Sequence, residues 1–212
     1  MKCLIAGLVV TLWLSAGAKV YALEVHVQDA QGDGLSNAVV ALHGREPVTA
    51  PAETYAVVDQ VGLEFVPYVA AVQVGSWIRF PNSDDIRHHV YSFSPAKRFE
   101  LKLYHGSTAE PVKFDTAGQV VLGCNIHDSM VGYVYVLDTP YYALTDSRGL
   151  VTIDAPAGQY QLEIQHPRST APIVQSVVIH QNPNSLSFTL SPLAPDPRDS
   201  QPKTELEKLF DR

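Results

Sequence analysis

The stretch that decides the reading is Gly118-Gln119-Val120-Val121-Leu122-Gly123-Cys124-Asn125-Ile126-His127-Asp128-Ser129-Met130-Val131-Gly132-Tyr133-Val134-Tyr135-Val136. Alternating apolar residues lead into Cys124 and out of Met130, the period of two expected for a strand on each side of a short loop. The loop places an imidazole three residues after the thiol and a thioether six residues after it. Few residue sets are so well suited to a soft metal ion.

Working outward, a thiolate, an imidazole and a thioether on one hairpin leave one strong nitrogen donor to be found. The run Phe80-Pro81-Asn82-Ser83-Asp84-Asp85-Ile86-Arg87-His88-His89-Val90 supplies it: a polar loop that enters a strand at His88. Two imidazoles and a thiolate in a near-trigonal plane, with a weak axial thioether, make a type 1 copper site. The candidate ligands are therefore His88, Cys124, His127 and Met130, with His89 as the alternative to His88. The remaining histidines, His26, His43, His105, His166 and His180, lack metal-ligand spacing. Tyr133, Tyr135, Tyr141 and Tyr142 read as wall and interface aromatics rather than as a redox relay.

The order of these features resembles the cupredoxins, in particular amicyanin and plastocyanin. The similarity lies in Asn82 to His88 followed by Val90, in Gly118 six residues before Cys124, and in the closing "M-x-G-x-V-x-V" at Met130 to Val136. Phe65-x-Pro67 and Gly75 to Asn82 also fit the family's early strands. The wider block, Arg87 to Pro95, Leu122 to Asp128 and Asp138 to Tyr141, resembles plastocyanin-like proteins labelled methylamine utilisation proteins. The resemblance implies a Greek-key β-sandwich, one copper, and one-electron transfer with the outer edge of His127 as the electron port. Three positions depart from the family. Arg87 stands where a proline is usual, His89 where an asparagine ties the ligand loops, and Asp128 where an apolar residue or proline is common.

The rest of the chain is a succession of short strand signals separated by turn residues, about 8–12 residues apart, and so all-β. The strands read from the sequence include Leu23 to Gln28, Asn37 to Leu42, Tyr55 to Asp59, Val69 to Val74, Trp77 to Phe80 and His89 to Phe93. Two separated segments, Gln28 to Leu42 and Thr145 to Leu162, carry "A-x-V-x-L", "T-D-x-x-G" and "P-x-G-x-Y-x-L". Together they resemble a carboxypeptidase regulatory-like (transthyretin-like) β-sandwich. On that reading residues 23–58 and 139–190 are the two parts of a host sandwich and 59–138 a cupredoxin insertion. The alternative is one enlarged cupredoxin sandwich. Residues 191–212, rich in proline and charge, read as a linker-like tail, with one or two helical turns at Thr204 to Phe210.

Residues 1–22 read as a secretory signal: Lys2, then an apolar run of about eleven residues, then small residues at Ala16-Gly17-Ala18 and Val20-Tyr21-Ala22. Either triplet satisfies the cleavage pattern, and the cut is expected after Ala22. A membrane anchor is the alternative, but the run falls short of the roughly 20 residues a bilayer needs. Cleavage would take away Lys2 and Lys19 and move the charge from −7 to −9, with 13 basic against 22 acidic residues. That acidity argues against nucleic acid and anionic membranes and suits basic protein partners. Cleavage would also remove Cys3, leaving Cys124 alone in an oxidising compartment, where an unpaired thiol calls for an explanation such as a metal.

The function expected is that of a periplasmic or otherwise exported electron carrier between protein redox partners. No second copper site and no His-x-His pairs are present, so enzyme activity is not expected. A periplasmic copper-handling protein, or a β-sandwich interaction module with a secondary copper site, are the readings to weigh against it. The chain has no Met-rich or His-rich tract of the kind copper loading and release would use.

Overall fold

The computed structural model describes residues 19–44, 54–106, 110–180 and 184–200. Residues 1–18 of the expected signal 1–22, and the expected turns at Thr204 to Phe210, lie outside the described residues. What is described is all-β, apart from one short 3-10 turn at Pro197–Ser200.

In chain order the strands are β1 (Val20–Gln28), β2 (Val39–His43), β3 (Tyr55–Val57), β4 (Asp59–Val61), β5 (Glu64–Val66), β6 (Val69–Gln73), β7 (Ser76–Arg79), β8 (His88–Ser94) and β9 (Lys97–Tyr104). They continue with β10 (Val112–Phe114), β11 (Gly118–Cys124), β12 (His127–Leu137), β13 (Tyr142–Leu144), β14 (Leu150–Pro156), β15 (Gly158–Gln165), β16 (Ile173–Ile179) and β17 (Asn184–Thr189). Alternation of apolar and polar residues gives β1, β14 and β15 one buried face each.

The sheets sort into two packed layers twice over. Strands from the two ends of the chain form β14-β1-β17 and β13-β2-β15-β16, which enclose a core of Leu23, Val25, Leu42, Ile153, Leu162 and Phe188, among others. The middle of the chain forms β10-β7-β3 and β6-β12-β11-β8-β9, with the β4-β5 hairpin, around Phe65, Phe80, Val90, Phe114 and Leu122. Cys124 and Met130 belong to this second core. The glycine turns of the two distant segments meet: a Cβ on Gly34 would lie 2.2 Å from the Arg148 carbonyl oxygen, and one on Gly149 2.1 Å from that of Val27. Only glycine allows backbones this close.

A third apolar cluster joins the two halves, with Val39 and Ala41 of β2 against Val69, Tyr135 and Leu137 of β6 and β12. Two polar contacts flank this seam. His43 sits between two carboxylates, Nδ1 2.8 Å from Asp138 and Nε2 2.9 Å from Glu163. On the tail, Arg198 pairs with Asp196 at 2.6 Å and lies 3.7 Å over the ring of Tyr68.

The strand reading needs correction in several places. Tyr55 to Asp59 is not one strand but the whole of β3 and the first residue of β4, with a break at Val58 beside Asp59, whose carboxylate accepts from the Ser83 N–H and hydroxyl. The short strands β5, β10 and β13 carry too little pattern to be read from three residues. The tail up to Ser200 is no simple linker, since Arg198 holds it against Tyr68. β1 begins at Val20, three residues earlier than read, with Val20, Tyr21 and Ala22 paired to Pro156, Ala155 and Asp154.

His43 gives a pH test of the seam. The Glu163 carboxylate raises its pKa most, burial opposes, and Asp138 adds to the rise. A folded-state pKa above the unfolded one means the contribution is complete below the unfolded value and is lost as pH rises through the folded value. Thermal stability of the native chain should therefore fall across that range. The fall should be absent in His43→Gln, as melting temperatures recorded from mildly acidic to mildly alkaline pH will show.

Candidate metal centre

The centre is assembled from one hairpin and one loop. Antiparallel pairing of β11 and β12 runs regularly from Gly118↔Val136 to Gly123↔Val131, then jumps to Cys124↔His127. Asp128, Ser129 and Met130 are thereby left without partners on β11, a bulge at the mouth of the hairpin. The bulge lets Cys124 and Met130, 3% and 1% exposed, both reach the core while His127 stays partly exposed.

His88 comes from the other direction, at the start of β8. The loop before it is pinned by buried polar groups. The Asn82 side-chain amide donates to the carbonyls of Ile86 and Tyr104, both at 2.9 Å, and its oxygen accepts from the Asp84 N–H at 3.1 Å. Gln60 donates to Pro81 O at 2.9 Å and bonds Tyr104 Oη, which in turn donates to Phe80 O at 2.6 Å. These bonds hold the loop in a shape its own sequence does not impose.

Strand alternation then separates the two adjacent histidines. His88 faces the core and is fully buried; His89 faces out, its Nε2 2.9 Å from Glu100. The His88 Nδ1 lies 3.9 Å from Cys124 Sγ, the His127 Nδ1 lies 3.6 Å from it, and the two rings are 5.0 Å apart. One donor atom from each of His88, Cys124 and His127 falls within 4.8 Å of the others. Met130 is buried in the same core as Cys124. The structure thus brings His88, Cys124 and His127 together and turns His89 away. Of the other histidines, His26 and His43 are partly exposed, His105 and His180 exposed, and His166 is buried with its Nε2 on Ser36 O.

One residue at the centre was not singled out from the sequence. Asp84 Oδ2 lies 2.7 Å from His88 Nε2, and the two carboxylate oxygens also accept the backbone N–H groups of Gly62 (2.6 Å) and Leu63 (3.0 Å). Burial would raise the Asp84 pKa, but the Leu63 and Gly62 amides and the His88 imidazole outweigh it, and the pKa is lowered. The carboxylate is ionised and can only accept, so Nε2 carries the proton and the Nδ1 lone pair points at the thiol. The i, i+4 spacing of Asp84 and His88 is the signal that could have revealed it.

A buried thiol with two imidazole Nδ1 atoms converging on it, and a thioether in the same core, is a donor set consistent with one type 1 copper.

No family model matches the chain, and no curated protein matches it. Likenesses appear among solved structures. A reduced amicyanin variant is 23% identical, covering 46% of this chain and 98% of its own, at a TM-score of 0.36. The copper-containing nitrite reductase of Thermus scotoductus SA-01 is 22% identical over 47% of this chain and 25% of its own, at 0.38. A purple cupredoxin from Nitrosopumilus maritimus is 18% identical over 40% of this chain and 100% of its own, at 0.35.

Asp84 can be tested directly. Asp84→Asn removes the charge beside His88 but no ligand, so the copper-loaded variant should keep its colour. Its reduction potential should rise, because the oxidised metal loses more from the missing charge than the reduced one. Voltammetry checks this, and an unchanged potential would reduce Asp84 to a loop fastener.

Proposed function

We propose that the chain is an exported one-electron carrier with a single type 1 copper held by His88, Cys124 and His127, and weakly by Met130. The observation that supports this reading best is the convergence of two imidazole Nδ1 atoms on one buried cysteine sulfur. Copper would supply the Cu(II)/Cu(I) couple, for which this mixed donor set suits both states.

The chain's own groups have separate tasks. Asp84 sets the tautomer of His88, and the loop bonds of Asn82 and Gln60 keep that imidazole in place before any metal arrives. Burial of Cys124, His88 and Met130 excludes water from the donors, which limits reorganisation when charge changes. His127, the partly exposed member, is the group through which the family resemblance would route electrons. Partners would be redox proteins, and an acidic chain favours basic faces on them. No enzyme activity is assigned. The flanking strands β1, β2 and β13–β17 are read as a carboxypeptidase regulatory-like sandwich, on the paired glycine turns at Gly34 and Gly149.

Loading the chain with one equivalent of Cu(II) should give an intense thiolate-to-copper band that is absent in Cys124→Ser and in His127→Ala. His88→Ala should lose it as well, while His89→Ala should keep it. Weak absorption alone in the native protein would remove the type 1 assignment.

Export makes its own prediction. The pairing of Val20 to Ala22 with β14 favours a cut after Ala18 over one after Ala22, which would strip three rungs from β1 and the partly buried Tyr21 from the core. Mass spectrometry of the exported protein should find Lys19 at its start. A start at Leu23 would show that β1 tolerates the shorter edge.

A further inference from the structure

A polar pocket of about 270 Å³ opens where the two sandwiches and the tail meet. The turn after Gly34, in the flanking sandwich, lines it, and so does Tyr68, just before β6 in the sandwich of the metal centre. The segment after β15 and the tail complete it with His166, Arg168, Asp196 and Arg198. None of these residues takes part in the proposed copper site. The walls are tied to one another. His166 is buried, and its Nδ1 accepts from the Arg168 N–H while its Nε2 donates to Ser36 O, both at 3.2 Å. Burial lowers the His166 pKa, so a neutral ring in that tautomer makes both bonds. The tail is fastened to the same segment twice: the Ala194 N–H donates to Arg168 O at 2.8 Å, and Arg168 Nε donates to Ala194 O at 2.6 Å.

The charges in the lining do not balance. Arg198 forks onto Asp196, with Nε 3.0 Å from Oδ1 and Nη2 2.6 Å from Oδ2, while its flat face lies on Tyr68. Arg168 has no such partner. Its one side-chain hydrogen bond among the described residues goes to the neutral Ala194 carbonyl, and no carboxylate there pairs with it. The lining therefore sets two guanidinium groups against one carboxylate, which leaves it locally positive in a chain of net charge −7. A partly buried cation fixed at Nε and unpaired at its outer nitrogens is poised to accept an anion.

We propose that this pocket binds a small, singly charged carboxylate on the Arg168 guanidinium, with the polar turn at Ser36 and Asn37 lining the space around it. A planar guanidinium offers parallel N–H bonds to both oxygens of a carboxylate, a fit that a spherical anion cannot copy. One unpaired cation suits one negative charge, and Asp196 repels a second, which counts against a phosphate dianion. The volume lies just below the roughly 300 Å³ at which sites for drug-sized ligands begin, so the ligand is a small acid. Because the walls come from both sandwiches and the tail, a bound acid would bridge them and stabilise the native state by mass action.

The test is a titration of the full chain, copper-free or reduced and so diamagnetic, with sodium lactate at fixed ionic strength, followed by amide NMR. Saturable shifts should appear at Ser36, Asn37, Tyr68, Arg168 and Arg198, and the melting temperature should rise over the same concentrations. Arg168→Gln should weaken lactate about ten-fold or more, the loss of a charge-assisted pair. Arg168→Lys keeps the charge but not the fork, and should still weaken it by about three-fold. That second variant carries the test if Arg168→Gln fails to fold. Sodium phosphate at pH 8 should bind more weakly than lactate, and sodium chloride should leave these signals in place. Phosphate as tight as lactate, chloride reproducing the shifts, or native affinity in Arg168→Lys would overturn the proposal. The titration reads no copper signal, so its result stands apart from the carrier reading.

Discussion

The hydrogen bond between Asp84 and His88 is the contact on which the centre depends. A fully buried imidazole beside a buried thiol has two ring nitrogens to satisfy, and water reaches neither. The carboxylate takes one of them and thereby leaves the other as a lone pair aimed at Cys124. Asp84 is itself held by two backbone amides of the turn between β4 and β5, so the geometry of that small hairpin is transmitted to the donor set. Around it, Asn82, Gln60 and Tyr104 satisfy the loop's backbone carbonyls. A loop pinned this way presents its imidazole without waiting for a metal to organise it.

The second constraint is the seam. The sheet that carries Cys124 and His127 is backed on its β6–β12 side by β2, through Val39 and Ala41 against Tyr135 and Leu137. The far side of that sheet, around β8 and Phe93, has no such cover among the described residues. The flanking sandwich therefore covers one end of the sheet's outer face and leaves the other open. His43 between Asp138 and Glu163, and Arg198 over Tyr68, add polar fastenings at the seam's edges. Charged contacts suit that position, because rim groups keep part of their hydration while the apolar cluster supplies the burial.

Much of the centre is local and so could be read directly. Cys124, His127 and Met130 lie within seven consecutive residues, and a hairpin must hold them near one another. The run from Asn82 to Val90 likewise announces a polar loop entering a strand. Choosing between His88 and His89 is harder, because neighbouring strand residues point to opposite faces and the register is not local. Hydrogen bonding of β8 to β9 and β11 sets that register, and it puts His88 inside. The bulge that carries Met130 inward is decided in the same way, by where pairing resumes at Val131.

The sequence by itself determined the all-β class, through its period-two runs and turn residues, and the identity and spacing of the donors on one hairpin. Only the tertiary structure decided that Asp84 serves His88 and that the tail docks on Tyr68. Each of these joins side chains from separate segments, and their pairing follows from sheet order and register, which no short window of sequence contains.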